Sequence, residues 1–279
     1  MNDAADTADA LAGQLESIGK GRLVVVTGAG VSHASGIPTF RGTDPGAIWK
    51  KDVTELGTRR FFESDPAGSW SWYTSRFDMV LDKRPNRAHH ALAALERWHA
   101  ARSGRFLLVT QNVDPLHERA GSERLIKVHG SADRVRCTRQ GCEHGAPRGS
   151  LARADIDMTS FEADPVRGNL PRCPACGSLL RQHVLWFDEF YDEHEDYQWG
   201  RVLLAAQTLD CLLFVGTSLS VGVTDLFVRA AIELDRPVLA IDPGAARPPY
   251  PDITMLRARS EDLLPAACAR LGIEVRADR

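Results

Sequence analysis

Nowhere in the 279 residues does an apolar run approach the roughly 18 residues that span a bilayer, so no membrane-crossing helix is expected. The opening stretch, MNDAADTADALAGQLE, has no cationic start followed by an apolar core and does not read as a secretory signal. Basic charge is not in excess: Lys and Arg number 34 against 37 Asp and Glu, a formal net charge of −3. Bulk electrostatics therefore offer nothing to a polyanion, and no direct nucleic-acid binding is expected. There are no internal repeats and no low-complexity segments. Together these absences read as a soluble, cytoplasmic globular protein. Hydrophobic residues, at 43%, are enough for a large core, organised as one domain or as one domain with a small insert.

Five short apolar runs end in small or polar residues: 23–27, 106–110, 125–128, 211–215 and 238–241, followed by Gly28, Gln111, His129, Gly216 and Asp242. Continuous apolar runs with polar carboxyl ends are the pattern of buried parallel strands. Helical patterns lie between them, such as AHHALAALERWHA from Ala88 and TDLFVRAAIEL from Thr224. The alternation predicts a doubly wound α/β sheet, with ligands beyond the carboxyl ends of the strands. Two stretches break the pattern. Residues 42–84 look helical or loop-like, and 131–180 read as a small inserted metal module.

Six cysteines are present, and four are paired in sequence. Cys137 and Cys142 form a C-x4-C pair, Cys173 and Cys176 a C-x2-C pair, with Pro174 and Gly177 suiting a tight turn. In a reducing compartment such spacing points to metal rather than to disulfides. Four thiolates complete a tetrahedral zinc site and leave no open position, so the zinc would be structural. Cys211 and Cys268 lie in apolar patterns and read as core.

The first strand runs into GAGVSHASGIPTFRG. Gly28 and Gly30 would let backbone amides approach a phosphate, Ser32 adds a hydroxyl, and Arg41 a fixed bidentate cation. His33 stands where the common dinucleotide fingerprint has its third glycine, so a plain tight turn stays an alternative. TQNVDPLHERAG follows another strand and gathers Gln111, Asn112 and Asp114 at its carboxyl end; Asp114-Pro115 also reads as a helix start closed by Gly121. In VHG, His129 ends an apolar run and is a natural general base.

These segments, with VHGS, HVLWFDE, GTSLSV and the cysteine pairs, resemble the sirtuins, NAD-dependent protein deacylases, in the family's own order from about residue 22 to 242. The resemblance is to a bacterial-type single-domain member. It implies a Rossmann-like NAD-binding part from about 15–45, 85–130 and 181–279, and a small part from a helical insert, 46–84, and a zinc module, 131–180. It implies that Gly28, Ala29, Gly30, Ser32, Phe40, Arg41, Gln111, Asn112, Asp114, Gly216, Thr217, Ser218 and Asp242 hold NAD. His129, with Asn112 and Asp114, would be catalytic. By family chemistry, an acyl-lysine carbonyl oxygen attacks the ribose carbon bearing nicotinamide, nicotinamide leaves, and the histidine helps deprotonate a ribose hydroxyl. The cofactors implied are NAD and one structural zinc, and the partners acyl-lysine proteins or peptides.

Val184, Trp186 and Phe187 would flank the peptide. Asp188 stands where the family often has glycine; it would favour a cationic peptide or be solvated. Asp242 follows Ile241 where the family often has asparagine, and SVGVTD lacks a common proline. Tyr73 and Arg76, three apart in SWSWYTSR, share a helix face, and Gly57 lies sixteen positions before Tyr73. Sirtuins that remove malonyl, succinyl or glutaryl groups carry such residues, since a terminal carboxylate suits a guanidinium and a phenol. The alternative for Tyr73 and Arg76 is a core aromatic and a surface charge. Alternatives for the whole chain are a sirtuin-like ADP-ribosyltransferase or NADase, and an NAD-sensing module without turnover.

Overall fold

A computed structural model describes residues 3–39, 53–219, 222–244 and 250–276. Phe40 and Arg41, expected at the nucleotide, lie outside these residues. The strands are β1 (Arg22–Thr27), β2 (Arg105–Thr110), β3 (Leu125–Lys127), β4 (Gly130–Cys137), β5 (Leu151–Ala152), β6 (Leu180–Val184), β7 (Cys211–Val215), β8 (Val238–Ile241) and β9 (Ile253–Leu256). Six form one parallel sheet in the order β3-β2-β1-β7-β8-β9. Sequence order runs outward in opposite directions from the β1–β7 pair, so the crevice at their carboxyl ends is a topological switch point.

Alternation along the strands explains the continuous apolar runs. Leu23 and Val25 face one side with Leu108 and Leu213, under the helices Asp3–Ser17, Arg87–Ala101 and Ser260–Arg270. Val24 and Val26 face the other with Val109 and Phe214, under Trp199–Thr208 and Gly222–Glu233. With both faces covered, the strands read as near-continuous apolar runs rather than alternating ones. Burying one such side chain contributes about 1.5–3 kcal/mol.

The expected strand at 125–128 ends one residue early, at Lys127, which leaves His129 in the turn before β4. The interrupting stretches are more ordered than the sequence suggests. Val53–Leu56, Arg59–Ser64 and Pro66–Leu81 are helices. β4, β5 and β6 make a second, antiparallel sheet of three strands, and β9 is a further strand that no clear run announced. A third core joins these parts, with Trp70, Tyr73, Phe77 and Trp186 buried beside Cys137 and Cys173. Cys211 and Cys268 are buried in the first core, as expected.

Candidate active site

The two glycine turns after β1 and β7 pack backbone against backbone. Gly30 N–H donates to the Gly216 carbonyl at 2.8 Å, and Gly28 N–H donates to that of Val215 at 3.2 Å. A Cβ on Gly30 would lie 2.7 Å from Gly216 Cα, and one on Gly216, whose φ is +58°, would lie 2.3 Å from Val31 N. Glycine is required here by the approach of one turn to the other. The Gly28 and Gly30 amides are thus spent inside the protein, unlike the phosphate-facing role expected for them.

Ser32 also turns inward. Its hydroxyl donates to Asp114 Oδ2 at 3.0 Å and accepts from Asn112 Nδ2 at 3.1 Å, and Asn112 Nδ2 reaches the Gly28 carbonyl at 3.1 Å. Asp114 Oδ1 accepts from Leu116 N–H at 3.1 Å, so one carboxylate oxygen starts the helix Leu116–Arg119 while the other holds Ser32. The helix start expected at Asp114 falls one residue later, with Pro115 at the cap position and Asp114 just before it. Burial raises its pKa above the ordinary carboxyl value, opposed by those hydrogen bonds.

Behind these residues lies a polar layer that sequence reasoning missed. Thr27 Oγ1 bridges Thr110 Oγ1, at 2.8 Å, and His117 Nε2, at 3.0 Å. His89 takes the Asn86 N–H on Nδ1, leaving Nε2 to face Ser32. Burial pushes His89 down to about 3 and His117 well below the ordinary value, so both stay neutral. Gln111 Nε2 donates to Thr217 Oγ1 at 3.1 Å, reaching from the end of β2 past the end of β1 to the turn after β7. Ala29 is half-buried in the first turn, Ser218 exposed in the second, and Asp242 closes a turn onto Gly244 N–H at 2.6 Å.

His129 stands at the edge of this crevice. Its Nδ1 lies 2.9 Å from the Gln111 carbonyl. A carbonyl only accepts, so the proton sits on Nδ1 and Nε2 keeps its lone pair. Burial lowers His129 to about 4, opposed by the Gln111 bond, so the ring is neutral near pH 7 and its Nε2 can take a proton. Tyr191, absent from the expectations, points its hydroxyl at that nitrogen from 3.2 Å.

The segment after β6 runs past His129. Leu185 N–H donates to the His129 carbonyl at 2.9 Å, and Val184 pairs with Gly130. Phe187 and Phe190 are exposed, but Trp186 is 2% exposed and packs on Phe62, 5.3 Å between centroids. Trp186 is therefore a core residue here, not a wall of an open cleft. Phe187 N–H bonds the Gly57 carbonyl at 2.9 Å, and its ring fills the side of Gly57 where a Cβ would stand. Asp188 is exposed, as its solvated reading expects, and it also accepts from Arg59 and Arg60 N–H, at 2.7 and 3.1 Å, in the first turn of the helix that Thr58 caps. Glu189 sinks into a cluster with Arg59, Arg136 and Arg181.

On the helix Pro66–Leu81, Tyr73 is buried against Trp72 and Phe77, and burial raises its phenol. Arg76 is half-buried, its guanidinium 4.2 Å above the Trp72 ring and bonded to the Trp72 carbonyl at 2.8 Å.

The four paired cysteines converge. Cys137 and Cys176 Sγ atoms are 3.4 Å apart, and those of Cys142 and Cys173 3.7 Å. A tetrahedron with Zn–S bonds of about 2.3 Å has edges of roughly 3.8 Å, so the donor set and its spacing fit one zinc. Gly177, at φ +71°, makes the tight turn of the second pair by bonding the Cys173 carbonyl. His183, His194 and Asp196 also gather. Ordinary hydrogen bonds account for much of this group: His183 to Asp196 at 3.1 Å and His194 Nε2 to the Gly149 carbonyl at 3.1 Å.

A family model described as Sir2 family matches residues 28–223. The NAD-dependent protein deacylase of Thermus thermophilus is 41% identical over 201 residues, 72% of this chain and 70% of that protein. NAD-dependent protein deacylase 1 of Pseudomonas aeruginosa is 38% identical over 256 residues, covering 90% and 95%. Among solved structures, a Sir2 homolog–NAD complex aligns with TM-score 0.75 at 33% identity, over 95% of this chain and 93% of that one. A Sir2 protein with a deacetylated peptide and 3'-O-acetyl ADP-ribose aligns with TM-score 0.77 at 26% identity, over 95% and 99%. With its glycine turns at the switch point, its His129 at the crevice and its four-cysteine cluster, this chain belongs to the Sir2 family.

Proposed function

We propose that the protein is an NAD-dependent lysine deacylase that moves the acyl group from lysine to ADP-ribose and releases nicotinamide. The observation that carries the chemistry is His129: its tautomer is held by the Gln111 carbonyl, its pKa is pushed down to about 4 by burial, and its Nε2 lone pair is turned toward the crevice. Residues at the β1 and β7 turns, with Gln111, Asn112, Asp114 and Asp242, would hold NAD, which supplies when bound the ribose carbon that takes the acyl group. The crevice suits it, because the interlocked turns and the Ser32–Asn112–Asp114 bonds form a preorganised polar floor. Buried Asp114 offers a carboxyl to a hydroxyl-bearing ligand. His129 takes a proton at Nε2.

An acylated peptide would lie along residues 184–190, which carry the exposed rings of Phe187 and Phe190 and bond through Leu185 N–H to the turn that holds His129. A second reading of acyl choice rests on Arg76. A planar group with five N–H donors suits a terminal carboxylate, and Arg76 shares its helix face with the Tyr73 phenol. On this reading succinyl- or malonyl-lysine is processed at least as well as acetyl-lysine.

Mass spectrometry of products after incubation with NAD and acyl-peptides tests the proposal. Free lysine peptide, nicotinamide and acylated ADP-ribose are expected in equal amounts. ADP-ribosylated protein, free ADP-ribose without deacylation, or binding without turnover would each replace it. His129→Ala should lower deacylation by about 10²–10⁴-fold with the fold retained; near-normal turnover removes His129 from the mechanism.

A further inference from the structure

The nitrogen that must take a proton already has a partner. Tyr191 Oη lies 3.2 Å from His129 Nε2, and since Nδ1 carries the ring proton, the phenol is the donor. The hydroxyl is held there. The Tyr191 ring stacks on Trp199, 4.3 Å between centroids and 12° between planes, and lies 5.9 Å from the His129 ring. Burial raises the phenol's pKa, opposed by the nearby Val223 amide, so it keeps its proton.

Among the described residues, the nearby ionisable groups Lys127, Asp114 and His117 have partners of their own. Lys127 pairs with Glu118 at 2.8 Å and reaches Ser131. Asp114 is bound to Ser32 and Leu116 N–H, and His117 to Thr27. The neutral state of His129 therefore rests on its burial, against the opposing pull of the Gln111 carbonyl, and the Tyr191 hydroxyl meets the lone pair that this state leaves on Nε2.

We infer that Tyr191 is a positioning residue for His129: its hydroxyl holds the Nε2 lone pair in the substrate-free enzyme and gives way to the substrate hydroxyl that His129 deprotonates. This rests on the deacylase reading. The hydroxyl stabilises the neutral ring only until that replacement, so it acts on the free enzyme and not on the ternary complex.

Tyr191→Phe removes the hydroxyl and keeps the ring on Trp199. Losing a donor to the neutral imidazole raises the His129 pKa by about half to one pH unit, the equivalent of one ordinary hydrogen bond. The acidic limb of kcat/KM, which reports free enzyme, moves up by that amount, while the limb of kcat stays in place. Unmoved limbs, or limbs that move together, overturn the proposal. NMR titration of the His129 ring nitrogens in both proteins gives the same readout without turnover: a rise in Tyr191→Phe supports the role, and equal titrations refute it. Absence of nicotinamide release from the parent protein would instead defeat the deacylase reading.

Discussion

Glu189 ties four segments together, and its removal has a calculable cost. Its carboxylate accepts from Arg181 on β6, from Arg136 on β4 at 3.3 Å, from Arg59 of the helical insert at 3.0 Å, and from Trp186 N–H at 3.0 Å. The side chain has no solvent exposure, and Arg136 and Arg181 are buried beside it. Glu189→Gln keeps the shape but leaves two buried guanidinium groups facing each other without an anion. Breaking a buried ion cluster from one side costs about 3–5 kcal/mol. The pKa supplies a second estimate. Burial pushes the carboxyl up, but the charges and hydrogen bonds of Arg181 and Arg136 outweigh it and bring it from an ordinary 4.5 down to about 2. That depression is equivalent to roughly 3 kcal/mol. Because the folded pKa lies below the unfolded one, this stabilisation is present above about pH 4.5 and is lost as pH falls toward 2. Urea unfolding near pH 7 should show the variant about 3–4 kcal/mol less stable, a fall of about 10 °C in Tm, with the gap closing below about pH 4. A loss under about 1 kcal/mol, or a gap indifferent to acid, would refute the reasoning.

Metal analysis of purified protein should find about one zinc per chain, and chelation or Cys173→Ala should lower Tm sharply, since binding energy here is folding energy; full stability without metal would remove the zinc. Arg76→Met should depress succinyl or malonyl removal by about 10- to 100-fold while leaving acetyl removal nearly unchanged. Kinetics on matched peptides decide it, because equal losses on both substrates would mean that Arg76 only packs against Trp72.

The zinc cluster, the two glycine turns and the parallel strands were legible because each is written locally. Cysteine spacing of a few residues is close to a distance, and a strand buried on both faces reads as a continuous apolar run, as 23–26 and 211–215 do. The same local signals placed Asp114 and His129 close to where they lie, within a residue or two of a helix start and of a strand end. β6 was not legible, because its sequence LRQHV carries Arg181, Gln182 and His183, all buried. A charged residue can be buried only when a partner arrives from elsewhere. For Arg181 that partner is Glu189, and Glu189 also recruits Arg136 and Arg59 from distant segments.

The sequence by itself determined the architecture, the metal ligands and the kind of chemistry at the strand ends. Only the tertiary structure decided how each polar group is used. Gly28, Gly30 and Ser32 look alike as phosphate binders in one dimension, but the approach of the β7 turn and of Asp114 claims their donors for the protein itself. Asp188 could not be read as an acceptor for the first-turn amides of Arg59 and Arg60 without the insert folded against it. Tyr191 is 62 positions from His129 and shows no pattern of its own. Hydrogen bonds are short-ranged and directional, so which donor meets which acceptor is settled by packing rather than by spacing along the chain.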